Sequence, residues 1–140
     1  MTEAMKKEIK HPDKLVSTGA YSAGVMVDDW LFVSGQGPLD LITGEVVRGT
    51  IEEETTLTLL HVKKIVEAAG GTMADIVKCT VHLTDINEFD RYNAVYASFF
   101  SGILPARTTV QSVLCDGIKV EIDAIAKINS SRNKQAADGK

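Results

Sequence analysis

The chain has 140 residues, of which 44% are apolar and 24% charged, a size and balance that suit one domain around one core. Its formal net charge of −4 lacks the basic footprint that binding a phosphate backbone requires, so no nucleic-acid partner is expected. No run approaches the roughly 18 apolar residues of a membrane span, and the mixed-charge start MTEAMKKEIKHPDK does not read as a secretory or transit segment, so the expected setting is cytoplasmic.

The first half reads as strands and turns. Two β-prone runs, 25–27 and 30–33, flank Asp28-Asp29, which suits a tight hairpin. Ser34-Gly35-Gln36-Gly37-Pro38 breaks the pattern, and Thr43-Gly44 offers a turn before a third short strand at 45–47. A helix is predicted across 50–71: Thr50 and Glu53 have capping-box spacing, Glu52 to Glu54 suit the positive end of a helix dipole, and Gly70-Gly71 can end it. Within it Leu59, Val62, Val66 and Ala69 recur on one face.

The segment 76–83 alternates, with Val77, Cys79, Val81 and Leu83 on one side. A second helix at about 87–100 carries Phe89, Tyr92, Tyr96 and Phe99 on one face. Strands are predicted at about 107–114 and 118–127, the last with Ile118, Val120, Ile122, Ala124 and Ala126 as its apolar face. The domain is taken as 1–128, and the polar segment 129–140 as a loose tail that cannot offset its ordering entropy. The order β-β-β-α-β-α-β-β implies an α+β fold, a mixed sheet with two helices on one face. The other face would stay open, and an open apolar sheet face favours self-association.

Few residues suggest chemistry unaided. Arg107, at a strand start after Pro105, is either a surface arginine or a planar fork for a carboxylate. Glu121 belongs either to a solvated strand face with Lys119 and Asp123 or to a site where its carboxylate handles water. Tyr21 could pack or line a cleft, and Asn93 could be a satisfied amide or reach a ligand. Ser34 has no nucleophile-elbow context, and Gly35-Gln36-Gly37 lacks a dinucleotide fingerprint. His61 reads as an isolated packing or surface residue. Cys79 and Cys115 fit no CxxC pattern and read as small buried or half-buried side chains, and His11, His61 and His82 have no metal-ligand spacing. No cofactor is expected.

An ordered set of segments then carries a resemblance. Gly19-Ala20-Tyr21, Ser34-Gly35-Gln36, Thr43-Gly44-Glu45-Val46, Val66-Glu67-Ala68-Ala69-Gly70, Asp75-Ile76-Val77-Lys78 and Tyr92-Asn93-Ala94-Val95-Tyr96 lead to Pro105-Ala106-Arg107 and Val120-Glu121-Ile122. In these the chain resembles the RidA/YjgF family of reactive-intermediate deaminases, also called the endoribonuclease L-PSP family. The resemblance implies a chorismate-mutase-like fold and a homotrimer with clefts between subunits. It also implies hydrolysis of 2-imino or enamine acids, such as 2-iminobutyrate and 2-iminopropionate, to 2-keto acids and ammonia. By the same resemblance Arg107 would hold the substrate carboxylate and Glu121 would orient water. Tyr21, Ser34, Asn93 and Thr109 would line the cleft. Ala20 stands where the family usually has Pro, Thr109 where it has Cys, and His61 where Asn is common.

A tight hairpin about Asp116 would set Glu121 opposite Gln111, about 13 Å along the strand from Arg107. One small substrate could not easily touch both, so the last two strands are expected not to pair in that register. Three alternatives stand beside deamination of 2-iminobutyrate: a non-catalytic trimer that binds a carboxylate metabolite, a deaminase of another enamine such as 2-aminomuconate, and, weakest on charge, a ribonuclease.

Overall fold

The computed structural model describes residues 5–129; the tail from 130 onward lies outside the described residues. One six-stranded sheet runs in the order β1-β2-β3-β6-β4-β5. Its strands are β1 (Lys6–Ile9), β2 (Gly24–Val27), β3 (Trp30–Gln36), β4 (Ile76–Leu83), β5 (Ala106–Gln111) and β6 (Val120–Lys127), with helices α1 (Ile51–Ala68) and α2 (Phe89–Ser98). All neighbours are antiparallel except β4 and β5, which α2 joins as a parallel crossover. The predicted mixed sheet with two helices is the observed architecture.

Local signals account for most of it. Asp28 takes the left-handed φ of 52° that turns β2 into β3. Thr50 caps α1 in a full capping box: its hydroxyl accepts from the Glu53 amide at 3.1 Å and the Glu53 carboxylate accepts from the Thr50 amide at 2.8 Å. Leu59, Val62 and Val66 are fully buried, as are Tyr92 of α2 and Val120, Ile122 and Ala126 of β6. One core thus fills the space between the helices and one sheet face.

Two expectations fail in detail, and one strand lies outside them. The third strand at 45–47 does not form: Leu39 and Val46 make an isolated bridge, and Asp40 Oδ1 accepts from the amides of Ile42 and Thr43 at 2.8 and 3.2 Å, closing a turn instead of extending a ladder. In β4, Val77 is exposed and Ile76 is buried, because the pairing with β6 shifts register between Ile76 and Lys78. Strand β1 was not foreseen. It is a short edge strand whose only buried residue is Ile9, so it has no alternation to detect.

The uncovered face carries Trp30, Phe32 and Val110, each at least 39% exposed. No helix among the described residues is long and apolar enough to cross a membrane.

Candidate functional site

Strand β4 separates β5 from β6, so the last two strands do not form a hairpin. Arg107 lies opposite Cys79, which is buried beneath the helices, whereas Glu121 lies opposite His82 on the uncovered face. Within one chain the two residues therefore sit on opposite faces of the sheet and share no cleft. The candidate residues divide into two groups.

The first group is built on the edge strand β5 and on α2. The Arg107 guanidinium lies over the rings of Phe89, Tyr92 and Tyr96, at 5.5, 5.5 and 4.7 Å from their centres. Its Nη1 donates to Asn93 Oδ1 at 2.7 Å. Helical spacing makes this cage: residues 89, 92, 93 and 96 fall on neighbouring rows of α2. Thr109, two residues along β5, shares a 2.9 Å hydrogen bond with the Tyr92 hydroxyl and so fixes one wall of the cage. Burial raises the pKa of Tyr92 and Tyr96, which keeps both phenols neutral beside the cation. No carboxylate lies within ion-pair distance of Arg107 among the described residues. A half-buried guanidinium held by π-faces and one amide retains free donors for an anion.

The second group lines a cleft of about 640 Å³ formed by loops around β3 and the start of β6. Tyr21, Ser34, Gly35 and Glu121 all contribute, with Thr18, Cys115 and Asp116 nearby. A register shift between Val33 and Gln36 bulges β3 and brings Gly35 against Glu121. A Cβ at position 35 would lie 2.5 Å from Glu121 Oε2, so only glycine leaves the carboxylate where it is. Ser34 Oγ donates to the Ser22 carbonyl at 2.6 Å, fastening the segment that carries Tyr21. The loop before β6 is fastened by Glu54, 1% exposed, whose Oε1 accepts from the Lys119 amide at 2.8 Å while Oε2 lies 3.3 Å from Lys119 Nζ.

His61 is not isolated. Its Nε2 is 2.8 Å from the Leu39 carbonyl, its Nδ1 is 3.1 Å from His11 Nε2, and His11 Nδ1 accepts from the Asp13 amide at 3.1 Å. With both rings neutral, each nitrogen has one role and every role is met. Burial lowers the pKa of both rings, His11 to about 4, with the neighbouring His61 a further cause for His11. The pair ties the segment after β1 and helix α1 to Leu39, which lines the cleft.

Sequence reasoning named Tyr21, Ser34, Asn93, Arg107, Thr109 and Glu121. It missed the partners that hold them: the Tyr92 and Tyr96 rings, Gly35, Lys14 and Thr18. Aromatic spacing on α2 was visible but read as core alone. Cys79 is buried as expected, but Cys115 is exposed, because it stands in the short turn before β6 rather than in a strand. Among the described residues no group of three or more His, Cys, Asp or Glu is placed to hold a metal ion.

The family profile described as endoribonuclease L-PSP matches residues 11–128. A RutC family protein of Pyrococcus abyssi is 40% identical over 124 residues, covering 87% of this chain and 98% of the relative. The 2-iminobutanoate/2-iminopropanoate deaminase of Rattus norvegicus is 39% identical over 127 residues, covering 90% of this chain and 93% of that protein. The crystal structure of Escherichia coli TdcF with bound serine superposes with a TM-score of 0.80 at 38% identity, covering 89% of this chain and 99% of that one.

Proposed function

Because the chain belongs to the endoribonuclease L-PSP family, the RidA/YjgF family, we propose that it hydrolyses 2-imino acids to 2-keto acids and ammonia. The observation that carries this reading is Arg107, a guanidinium without a carboxylate partner among the described residues, caged by three rings and by Asn93. That arrangement suits a substrate carboxylate, and the rat relative is named for acting on imino acids of that class.

The chemistry asks little of the protein. A protonated imine is already electrophilic at C2. Water adds there, its oxygen bonding to carbon while the C=N electron pair moves to nitrogen. A proton passes from the added oxygen to that nitrogen, the C–N bond breaks as C=O forms, and the released ammonia takes up the remaining hydroxyl proton and leaves as ammonium. Catalysis is then mainly positioning of substrate and water. Arg107 would hold the carboxylate, and Glu121 would orient the water. Tyr21 and Ser34 would shape the wall beside it, while Asn93 and Thr109 keep Arg107 and Tyr92 in place. Since one chain sets Arg107 and Glu121 on opposite faces, the reading requires a second copy, with Arg107 of one subunit completing the Glu121 cleft of the next. The exposed Trp30 and Phe32 on the uncovered face suit such packing into a homotrimer.

The test couples a threonine dehydratase to the protein and follows 2-ketobutyrate release from 2-iminobutyrate. Wild type accelerates the release, and Arg107→Ala abolishes the acceleration. A second reading, a binder of carboxylate metabolites without turnover, is favoured by the serine held in the TdcF structure. Binding of 2-ketobutyrate with no acceleration by wild type would select it.

A further inference from the structure

The loop that carries Tyr21 contains a cation that neither half of the proposed site uses. Lys14 Nζ lies 4.8 Å from the centre of the Tyr21 ring, donates to Thr18 Oγ1 at 2.8 Å and reaches the Tyr21 hydroxyl at 3.4 Å. Thr18 Oγ1 and the Tyr21 hydroxyl are hydrogen-bonded to each other. No carboxylate is within ion-pair distance of Lys14 among the described residues. Thr18 and Tyr21 line the same cleft as Glu121, and Lys14 stands behind them, on the wall of the adjoining hollow.

The protons of this trio can be counted. An ammonium only donates, so both hydroxyl oxygens accept from Lys14. One hydroxyl proton is used in the bond between Thr18 and Tyr21. If Tyr21 donates to Thr18, the Thr18 proton is left over; if Thr18 donates, the Tyr21 proton is left over. Either way one O–H remains, and no other protein acceptor is within reach among the described residues. The positive charge behind the pair also opposes a cationic group in front of it.

We infer that Lys14 and Thr18 are positioning residues that make the Tyr21 wall a hydrogen-bond donor for a substrate oxygen, facing the acceptor Glu121 across one cleft. The inference rests on the imino-acid reading for the identity of the ligand. A 2-imino acid is a dipole, with a carboxylate at one end and an N–H-bearing iminium at the other. A cleft with a donor wall and an acceptor wall takes such a molecule one way round: the carboxylate held by Arg107 of the second copy turns one oxygen towards Tyr21, and C2, where the water adds, faces Glu121. A free ammonium cation lacks the acceptor that the Tyr21 wall requires.

A double-mutant cycle tests this without relying on turnover. Binding of 2-ketobutyrate is measured by titration calorimetry on wild type, Lys14→Met, Tyr21→Phe and the double variant, with Lys14→Arg as the conservative control. Each single change is expected to weaken binding about 10-fold, as for loss of one charge-assisted hydrogen bond. The double variant should bind no worse than the weaker single, and Lys14→Arg should bind within about 3-fold of wild type. Binding by Lys14→Met equal to wild type, losses that multiply in the double variant, or no binding by wild type would each overturn the inference. Intact coupling in a protein that fails to accelerate imine hydrolysis would instead overturn the deaminase reading and leave the donor wall standing.

Discussion

The Arg107 group and the Glu121 group are built by different means. Arg107 is fixed by regular elements: a strand paired to β4, a helix, and three packed rings. Glu121 starts on a strand too, but everything that aims it is irregular: a bulge, a glycine, and loops fastened by Ser34, Glu54 and the His11–His61 pair. Packed rings hold a cation whose chemistry is only to wait for an anion. Loops allow the close approaches that the proposed handling of water by Glu121 needs. The difference teaches that a rigid clamp and an adjustable wall can be kept on separate faces, provided that two copies bring them together.

The most severe way to break this comparison is to disable each half in turn. Arg107→Ala and Glu121→Ala are each expected to lower kcat/KM for 2-iminobutyrate about 10³-fold or more, on the scale seen when a positioned charged group is lost. Co-refolding the two inactive variants in equal amounts should restore about a quarter of the sites, since a site with Arg107 from one subunit and Glu121 from its neighbour is intact for one pairing in four. No recovery in the mixture would place both residues in one chain's site and end the two-copy account.

A subtler cut spares both residues. Gly35→Ala should displace the Glu121 carboxylate and lower kcat about 10- to 100-fold with KM little changed, because positioning and not binding is lost. An unchanged kcat would remove Glu121 from the chemistry.

Acid should loosen the loop half through His11. His11 has its pKa lowered to about 4 in the fold against 6.5 in the unfolded chain, so the unfolded state binds more protons between those values. The stabilisation is therefore complete above pH 6.5 and is lost as pH falls towards 4, by about 2 to 3 kcal/mol at about 1.4 kcal/mol per pH unit. Denaturant unfolding across that window checks it, with His11→Phe expected to flatten the slope. The smallest effect should come from Asn93→Ala, which loosens the clamp and raises KM about 10-fold while leaving kcat near wild type.

Much of this was legible in the sequence. Helix α1 was fully announced, from the Thr50–Glu53 box to Gly70, because its signals are local and mutually consistent. The separation of β5 from β6 agrees with expectation, but its ground does not hold within one chain, where Arg107 and Glu121 lie on opposite faces and share no cleft. What stayed hidden depends on distant partners. His61 looked solitary because His11 lies fifty positions away. Gly35 looked like a chain break because nothing local says that Glu121 would need its missing side chain. Arg107 remained ambiguous until its neighbours on α2 were in view, and its place in Pro105-Ala106-Arg107 pointed to a family before it pointed to a geometry.

The absence of a carboxylate partner for Arg107 among the described residues has a consequence for anyone handling the protein. If it holds the substrate as proposed, such a group would behave as a one-site ion exchanger: in any buffer it would equilibrate with whatever small anions are present, and a substrate would have to displace them. Phosphate, sulfate and acetate should therefore act as competitive inhibitors, raising apparent KM in proportion to their concentration while leaving kcat alone. Kinetic constants from different buffers can be compared only once the occupancy of that exchanger has been accounted for.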